Sequence, residues 1–400
     1  MAAVLVAGWV VAATFLWKSS RVPSDLRLPH VDQDALFSAG VLRKTGHYQR
    51  FLRVDTVLAE VALLAMMAAY AARGARLARE SAAGRIGTGM LLGMLGLALV
   101  WFTQVPFGLV GLWWERRYGI SHVGYVEWLF GDWFGLGGEF LFISLAILIV
   151  MALAGVLHER WWIVGGPVFV GLATLFVFVQ PYLIPDTHRL RDRPLAAEAR
   201  RLEDREGSGR VPIEVQDVHE ETSSPNAEAT GLGPSRRVIL WDTLLDGRFS
   251  QREIRFVLAH EIGHLARGHL LKGIAWYALF AVPGAFLIAV GTRRRGGMAE
   301  ARAVPLGLFI VVVLQLAAMP VQNVITRHLE SEADWMALQA TRDPKGGTAL
   351  FRHFSTVALA EPNPPTWSYL LFEDHPTVAQ RIAMTRAWAA RYATAAAQSP

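Results

Sequence analysis

"VLAHEIGHLARGH", Val257 to His269, holds the pattern His-Glu-x-x-His at His260, Glu261 and His264. Two histidines four residues apart leave the same face of a helix, so both imidazoles can reach one ion. Neutral imidazole nitrogens suit zinc. Glu261 lies beside the first histidine and does not need to bind the metal. It can hold a zinc-bound water, accept its proton and later hand that proton to a leaving amine. The motif is half a site, however. A catalytic zinc has three protein ligands plus water, and two histidines on one face could also be a satisfied polar patch.

Upstream of the motif, Ser250-Gln251-Arg252-Glu253 is a capping box that places a helix start at Ser250. Ile254, Val257, Leu258 and Ile262 then form its apolar stripe. Upstream, "VPIEVQDV" (211–218) alternates like a strand and "RRVILWDTLL" (236–245) is a second strand candidate. The segment between them, "ETSSPNAEATGLGPS" (221–235), is rich in turn residues. Before them, 186–210 mixes acidic and basic residues and reads as a surface helix and linker.

The chain around this region is apolar. Hydrophobic residues make up 53% and charged residues 18%, which points to the membrane class. With no cysteine, any metal site must use His and carboxylates. The net charge is +5, carried almost wholly by Arg, with only four Lys. Scattered Arg at helix ends suits anionic headgroups, and no basic stripe interleaved with aromatics speaks for nucleic acid.

A spanning helix needs about 20 mostly apolar residues. Seven candidates are visible, at 1–17, 54–72, 86–110, 139–157, 161–184, 273–291 and 304–322. The first lacks a basic leading region and a small-x-small cleavage site, so it reads as a span and not a signal peptide. Asp55 falls at the headgroup level of the second. Glu60 lies deeper, and meets either an interhelical hydrogen bond or a water-filled interior.

The third ligand must come from beyond the seventh span, where "NVITRHLESEADWMAL" (323–338) reads as a helix carrying Glu330, Glu332 and Asp334. Two spans separate it from the His-Glu-x-x-His helix. The chain crosses twice and returns to the same side, so the two halves of a zinc site can meet.

Four stretches together, "NAEATGLGPSRRVILWDTLL", "EIRFVLAHEIGHLARGH", "NVITRHLESEAD" and "HPTVAQRI", resemble the CAAX prenyl protease 1 family of integral-membrane zinc metallopeptidases. The family pattern Asn-x-x-Ser-Arg-x-x-Glu-x-x-Ala-Asp is met by Asn323, Arg327, Glu330, Ala333 and Asp334, with Thr326 in place of Ser. "WWERRYGISHVGYVEWLFGDWFG" (113–135) resembles the family's loop between spans three and four, so the likeness covers most of the chain. It implies a mainly α polytopic membrane protein. About seven transmembrane helices would ring a chamber closed by a small α+β zincin-like catalytic domain. It implies Glu330 as third ligand of one Zn2+ per chain, and leaves Glu332 on the surface, about 200° away round the helix. Asp334 would fix a ligating histidine, and Arg381 would partner Asp334. His375 would stabilise the oxyanion, and Asn226 and Ala227 would lie on an edge strand that pairs with substrate. His219, His269, His328 and His353 read as structural or solvated.

The resulting division is 1–185 for spans one to five, 186–272 for the first part of the catalytic domain, 273–322 for spans six and seven, and 323–400 for its second part. Lys and Arg in the short loops number nine on each side, so charge does not orient the chain. The resemblance places the zinc domain in the cytoplasm, here of a bacterial plasma membrane. The expected activity is hydrolysis of membrane-associated proteins or peptides. The alternatives are an HtpX-like quality-control protease, with fewer spans before the motif, and a non-catalytic scaffold with a relic site. A site-2-type protease would place the motif within a span, whereas here Arg267, His269 and Lys272 follow it directly.

Overall fold

The computed structural model describes residues 2–79, 83–131 and 133–397. Met1 of the first expected span, Asp132 of the quoted loop and the last three residues lie outside them. The apolar runs fold as helices α1 (Ala2–Lys18), α2 (Ala39–Arg73), α3 (Gly84–Arg117), α4 (Trp133–Leu157) and α5 (Trp162–Val179). The polar stretch gives β1 (Thr187–Arg189), α6 (Arg193–Glu206), β2 (Ile213–Gln216), β3 (Ala227–Thr230), β4 (Arg237–Trp241) and α7 (Gln251–Ala266). Two long helices follow, α8 (His269–Thr292) and α9 (Val304–Thr341). The chain then forms α10 (Pro344–Val357), α11 (Thr366–Phe372) and α12 (Val378–Ala397).

Among the described residues, six helical segments, built on α2 to α5, α8 and α9, are long and apolar enough to cross a membrane. The remaining expected span, α1, is apolar but has 17 residues. It lies against α8, where the Trp9 indole N–H donates to the Leu279 carbonyl at 2.8 Å. Among the described residues, Oε2 of Glu60 is buried without a hydrogen-bond partner.

Two helices overrun their apolar windows. Helix α2 starts at Ser38, whose hydroxyl accepts from the Val41 N–H. Its polar first half joins the catalytic side: Arg53 pairs with Glu361 at 2.5 Å and Gln49 donates to the Leu359 carbonyl. Helix α9 is one rod of 38 residues, where the sequence reading has a span followed by a second helix. No turn residue separates its apolar and polar halves, and Pro320 removes only one backbone donor. At 1.5 Å per residue the rod is about 57 Å long, against a hydrocarbon core of about 30 Å. Its polar end therefore projects well past the membrane.

The small sheet has the order β1-β2-β4-β3. Strands β2 and β4 are parallel, and the outer pairs are antiparallel. Strand β4 reads as a continuous apolar run because it is central: Val238, Ile239 and Leu240 are fully buried. Helix α6 starts at the Asp192 cap, ends at Gly207 in the left-handed region, and buries Leu195, Ala199 and Leu202. One hydrophobic core joins Leu202 of α6, Leu240 of β4, Leu258 and Ile262 of α7, Leu338 of α9, Phe351 of α10 and Ile382 of α12. Segments on both sides of the α8–α9 hairpin thus share a single core.

Two glycines set the motif helix in place. At Gly263 an added Cβ would lie 3.1 Å from Met336 Cβ and 3.2 Å from Glu206 Oε2, so glycine lets α7 lie close against α9. Gly268, at φ +62°, turns the chain so that α8 begins three residues after α7 ends.

Glu206 is an unusual neighbour. Both carboxyl oxygens are buried without hydrogen-bond partners. Burial pushes its pKa up to about 9, opposed by nearby His260. Its folded pKa lies above the unfolded value, so the folded state holds the extra proton between the two. Stability is then lost as pH rises through that window. Glu206→Gln removes the ionisable group at nearly constant shape. It should stabilise the protein at about pH 8 by on the order of 1–3 kcal/mol, and change little at about pH 5. Thermal unfolding midpoints at the two pH values check this; equal shifts at both would contradict it.

Candidate metal centre

Helix α7 is fixed at its start by the expected box. The Ser250 N–H donates to Glu253 Oε2 at 2.8 Å, and the Ser250 hydroxyl accepts from the Glu253 N–H. Ten residues after Ser250 the chain presents His260, and with it Glu261 and His264, and α9 brings Glu330 opposite them. His260 Nε2 lies 3.1 Å from His264 Nε2 and 3.2 Å from Glu330 Oε2. His264 Nε2 lies 3.3 Å from Glu330 Oε1. Among the described residues, His260, His264 and Glu330 form the group whose donor atoms converge closely enough to hold a metal ion.

The donors fit such an ion. Donors arranged tetrahedrally at 2.0–2.2 Å from zinc lie roughly 3.3–3.5 Å apart. The three spacings here are close to that. Glu330 Oε2 is buried and makes no well-formed hydrogen bond, although two imidazole nitrogens lie 3.2 Å from it. Two imidazole Nε2 atoms facing each other and a carboxylate oxygen without a partner suit a cation between them. Burial drives His264 down to about 3, whereas at His260 burial is outweighed by Asp334 and Glu330, which hold it at about 10, a positive charge that a bound cation would replace.

Each histidine is held from behind. His260 Nδ1 is 3.0 Å from Asp334 Oδ1. Arg381 grips the same carboxylate with two bonds, Nε to Oδ2 at 2.8 Å and Nη2 to Oδ1 at 2.6 Å, and stacks on Phe351. Asp334 and Arg381 therefore meet as the resemblance implies.

His264 has a second, unexpected support. Its Nδ1 lies 3.0 Å from His269 Nδ1, and His269 Nε2 lies 3.0 Å from Glu332 Oε2. A consistent set of protons has His264 donating to His269 and His269 donating to Glu332. This corrects one expectation: Glu332 is fully buried, not on the surface. His269 is buried and structural, the first of the two readings given for it, and it touches a member of the candidate site. Glu332 does point away from Glu330, but that face of α9 is covered by the turn that follows α7. There Arg267 donates to Glu332 Oε1 at 2.7 Å, Lys272 donates to Oε2 at 2.9 Å, and the Arg21 N–H donates to Oε1 at 2.9 Å. A buried carboxylate needs such donors. The signal in the sequence was the cluster Arg267, His269 and Lys272 directly after the motif.

Elsewhere, His219 is exposed and bonds Asp242, His328 stacks on Trp17, and His353 contacts Glu253.

His375 Nε2 lies 3.2 Å from Glu330 Oε2, and its Nδ1 lies 2.7 Å from Asp374. Burial alone would lower its pKa, but Asp374 and Glu330 outweigh that and hold it at about 9. Its loop is pinned by residues whose part the sequence did not reveal. Asn323 donates to the Leu371 carbonyl at 2.7 Å, and Arg327 donates to the carbonyls of Tyr369 and Glu373.

Glu261 is buried beside the donors, and burial pushes its carboxyl up to about 7, opposed by His260. A cavity of about 110 Å3 opens here, with Asn226, Ala227, His260, Glu261, His375 and Arg381 in its wall. A second, of about 300 Å3, shares Asn226, His375 and Arg381 with it.

Known proteins resemble this chain. The profile of peptidase family M48 matches residues 190–389. An uncharacterized metalloprotease of Bacillus subtilis (strain 168), YhfN, is 25% identical over 292 residues, which are 70% of this chain and 68% of that protein. Protease HtpX of Legionella pneumophila (strain Lens) is 30% identical over 187 residues, 41% of this chain and 67% of that protein. Among solved structures, Ste24p of S. mikatae superposes with a TM-score of 0.74 over 94% of this chain and 96% of that one, at 19% identity. The fold expected from the CAAX prenyl protease 1 resemblance is therefore borne out. The matched stretch begins at the sheet and ends inside α12, taking in both faces of the site and the hairpin between them; the chain belongs to peptidase family M48 and is a membrane metallopeptidase.

Proposed function

We propose that one Zn2+ per chain is held by His260, His264 and Glu330, and that Glu261 is the general base of peptide-bond hydrolysis. The observation that carries this is the convergence of three donors at 3.1–3.3 Å with buried Glu261 beside them. Zinc at such a site acidifies water and polarises a carbonyl.

The chain's own residues supply the rest. Glu261 takes the proton of the attacking water as its oxygen bonds the carbonyl carbon, and returns it to the amine nitrogen as the C–N bond breaks. His375 donates from Nε2 to the carbonyl oxygen as negative charge grows there. Asp334 with Arg381, and His269 with Glu332, hold the two ligating imidazoles in orientation.

Substrate grip fits β3. Paired residues in an antiparallel ladder alternate between bonding inward and outward. Trp241 donates to Asn226 O, so Asn226 bonds inward and Ala227 presents its peptide groups to the free edge. An extended substrate adds there as a further strand, with Asn226 and Ala227 in the wall beside Glu261.

Residues 186–272 and 323–400 are read as two parts of one catalytic domain, joined through the 273–322 hairpin. The shared core supports that division. The substrates are membrane-associated peptides or proteins, and the domain faces the cytoplasm of a bacterial plasma membrane. An HtpX-like role in protein quality control shares the chemistry, but that likeness covers 41% of the chain, whereas the Ste24p fold covers 94%.

Glu261→Gln should retain about one zinc per chain and lower peptide cleavage by at least roughly a hundredfold. Metal analysis and a fluorogenic peptide assay on the same sample check this; near-full activity would refute the base assignment. Removing metal with a chelator should abolish cleavage in the parent protein, and zinc should restore it. His269→Ala should weaken zinc retention by roughly 10–100-fold, read by competition against a chelator of known affinity. Unchanged retention would remove His269 from the support of His264.

A further inference from the structure

A cavity of about 680 Å3 lies at the end of the helices remote from the metal centre. Among the described residues it is walled by Arg76, Arg85, Arg294, Arg295 and Arg302, with Glu300 as the one acidic residue. Its place follows from the helix directions. Helix α8 leaves the metal side at His269 and reaches this face at Thr292, and α9 starts here at Val304 and returns. Helix α2 runs from the Arg53–Glu361 pair to Arg73, and α3 begins here at Gly84. The cavity therefore sits at the membrane boundary on the opposite side from Glu261.

Five guanidiniums around one concavity repel one another unless an anion joins them. The protein supplies little compensation. Among the described residues none of the five forms an ion pair; the pair recorded at this face, Arg293 with Glu159 at 3.1 Å, lies outside the cavity wall. Two of the five are held in place by neutral acceptors. Arg295 donates to the Ala71 carbonyl at 2.6 Å, and Arg302 donates to the Arg295 carbonyl at 2.9 Å. Each guanidinium has five donors, so most remain for a ligand. The turn that brings them together uses Gly296 at φ +87°, packed against Glu300 and Arg302. The first turn of α3 adds the positive end of a 34-residue helix to the same wall.

We propose that this cavity binds a phosphate-bearing anion, supplied by the headgroup of an anionic phospholipid in the leaflet remote from the active site. Guanidinium pairs match phosphate oxygens in fork geometry, and the boundary position presents them at headgroup depth. Such a lipid ties the α2–α3 turn to the α8–α9 turn, the hairpin that carries Glu330.

The test uses the full-length protein in detergent, incubated with equal amounts of phosphatidylglycerol and phosphatidylcholine, with retained lipid counted by native mass spectrometry. The parent protein should retain phosphatidylglycerol at least roughly tenfold over phosphatidylcholine. The combined variant Arg76→Gln, Arg85→Gln, Arg294→Gln alters side chains with no recorded hydrogen bond. It should lower that retention by roughly a hundredfold, at about fivefold per arginine, with peptide cleavage in detergent unchanged. If the combined variant loses cleavage as well, Arg85→Gln and Arg294→Gln taken singly should each lower retention about fivefold. Equal retention of the two lipids by the parent protein, or an undiminished preference in the variants, overturns the proposal. In a thermal-unfolding arm, millimolar inorganic phosphate added to delipidated protein should raise the unfolding midpoint less than phosphatidylglycerol does, and should not displace phosphatidylglycerol from protein that holds it. An equal rise, with displacement of bound lipid, would assign the cavity to free phosphate and overturn the lipid assignment. Failure of zinc binding or cleavage in the parent protein would bear on the proposed function and not on this cavity.

Discussion

Glu330 reaches His260 and His264 because α9 crosses the bilayer without ending. The apolar run expected to span the membrane ends at residue 322, and the same helix continues for two more turns to Glu330, about 12 Å further on. A break or a flexible joint between span and ligand would leave the carboxylate on a tether, with a large entropy to lose on closing the site. A continuous helix removes that loss. Membrane insertion and site assembly thus become one problem: once the α8–α9 hairpin is placed, the third donor is placed with it.

Close packing holds the rod against the motif helix. Gly263 admits Met336 and Glu206 to contact distance, and Leu258 and Ile262 of α7 join Trp335 and Leu338 of α9 in one core. The charged groups follow the same seam. Asp334 and Arg381 close it on the His260 side, and Glu332 with Arg267, His269 and Lys272 closes it on the other. Both faces of α9 near Glu330 therefore carry a buried carboxylate compensated by cations or N–H donors. Removing one partner of such a group costs far more than an exposed pair would. The imidazoles are consequently oriented before any ligand arrives, which is what a catalytic constellation requires.

Much of this was legible in the sequence, for identifiable reasons. The helical period placed His260 and His264 on one face, the capping box gave the start at Ser250, and the parity of two crossings put Glu330 on the right side. Alternation found β2, and a continuous apolar run found β4. What escaped was long-range. Hydropathy marks where a helix is apolar, not where its backbone ends, so α2 and α9 run well beyond their apolar windows. β1 has three residues and no pattern of its own. Glu332 was assigned to the surface because helical geometry places it away from Glu330, and a helical wheel carries no record of what covers the far side. The roles of Asn323 and Arg327, bonded to carbonyls 42–48 residues on, could not be derived from local spacing.

The central claim is that one ion is held jointly by α7 and α9. It is tested most directly by metal content and affinity in Glu330→Ala beside the parent protein, both purified in detergent and titrated against a chelator. The parent should hold about one zinc per chain. The variant should lose affinity by more than the roughly 10–100-fold that removal of an outer partner costs. A Glu330→Ala protein that stays folded and keeps its zinc with parental affinity would contradict the account.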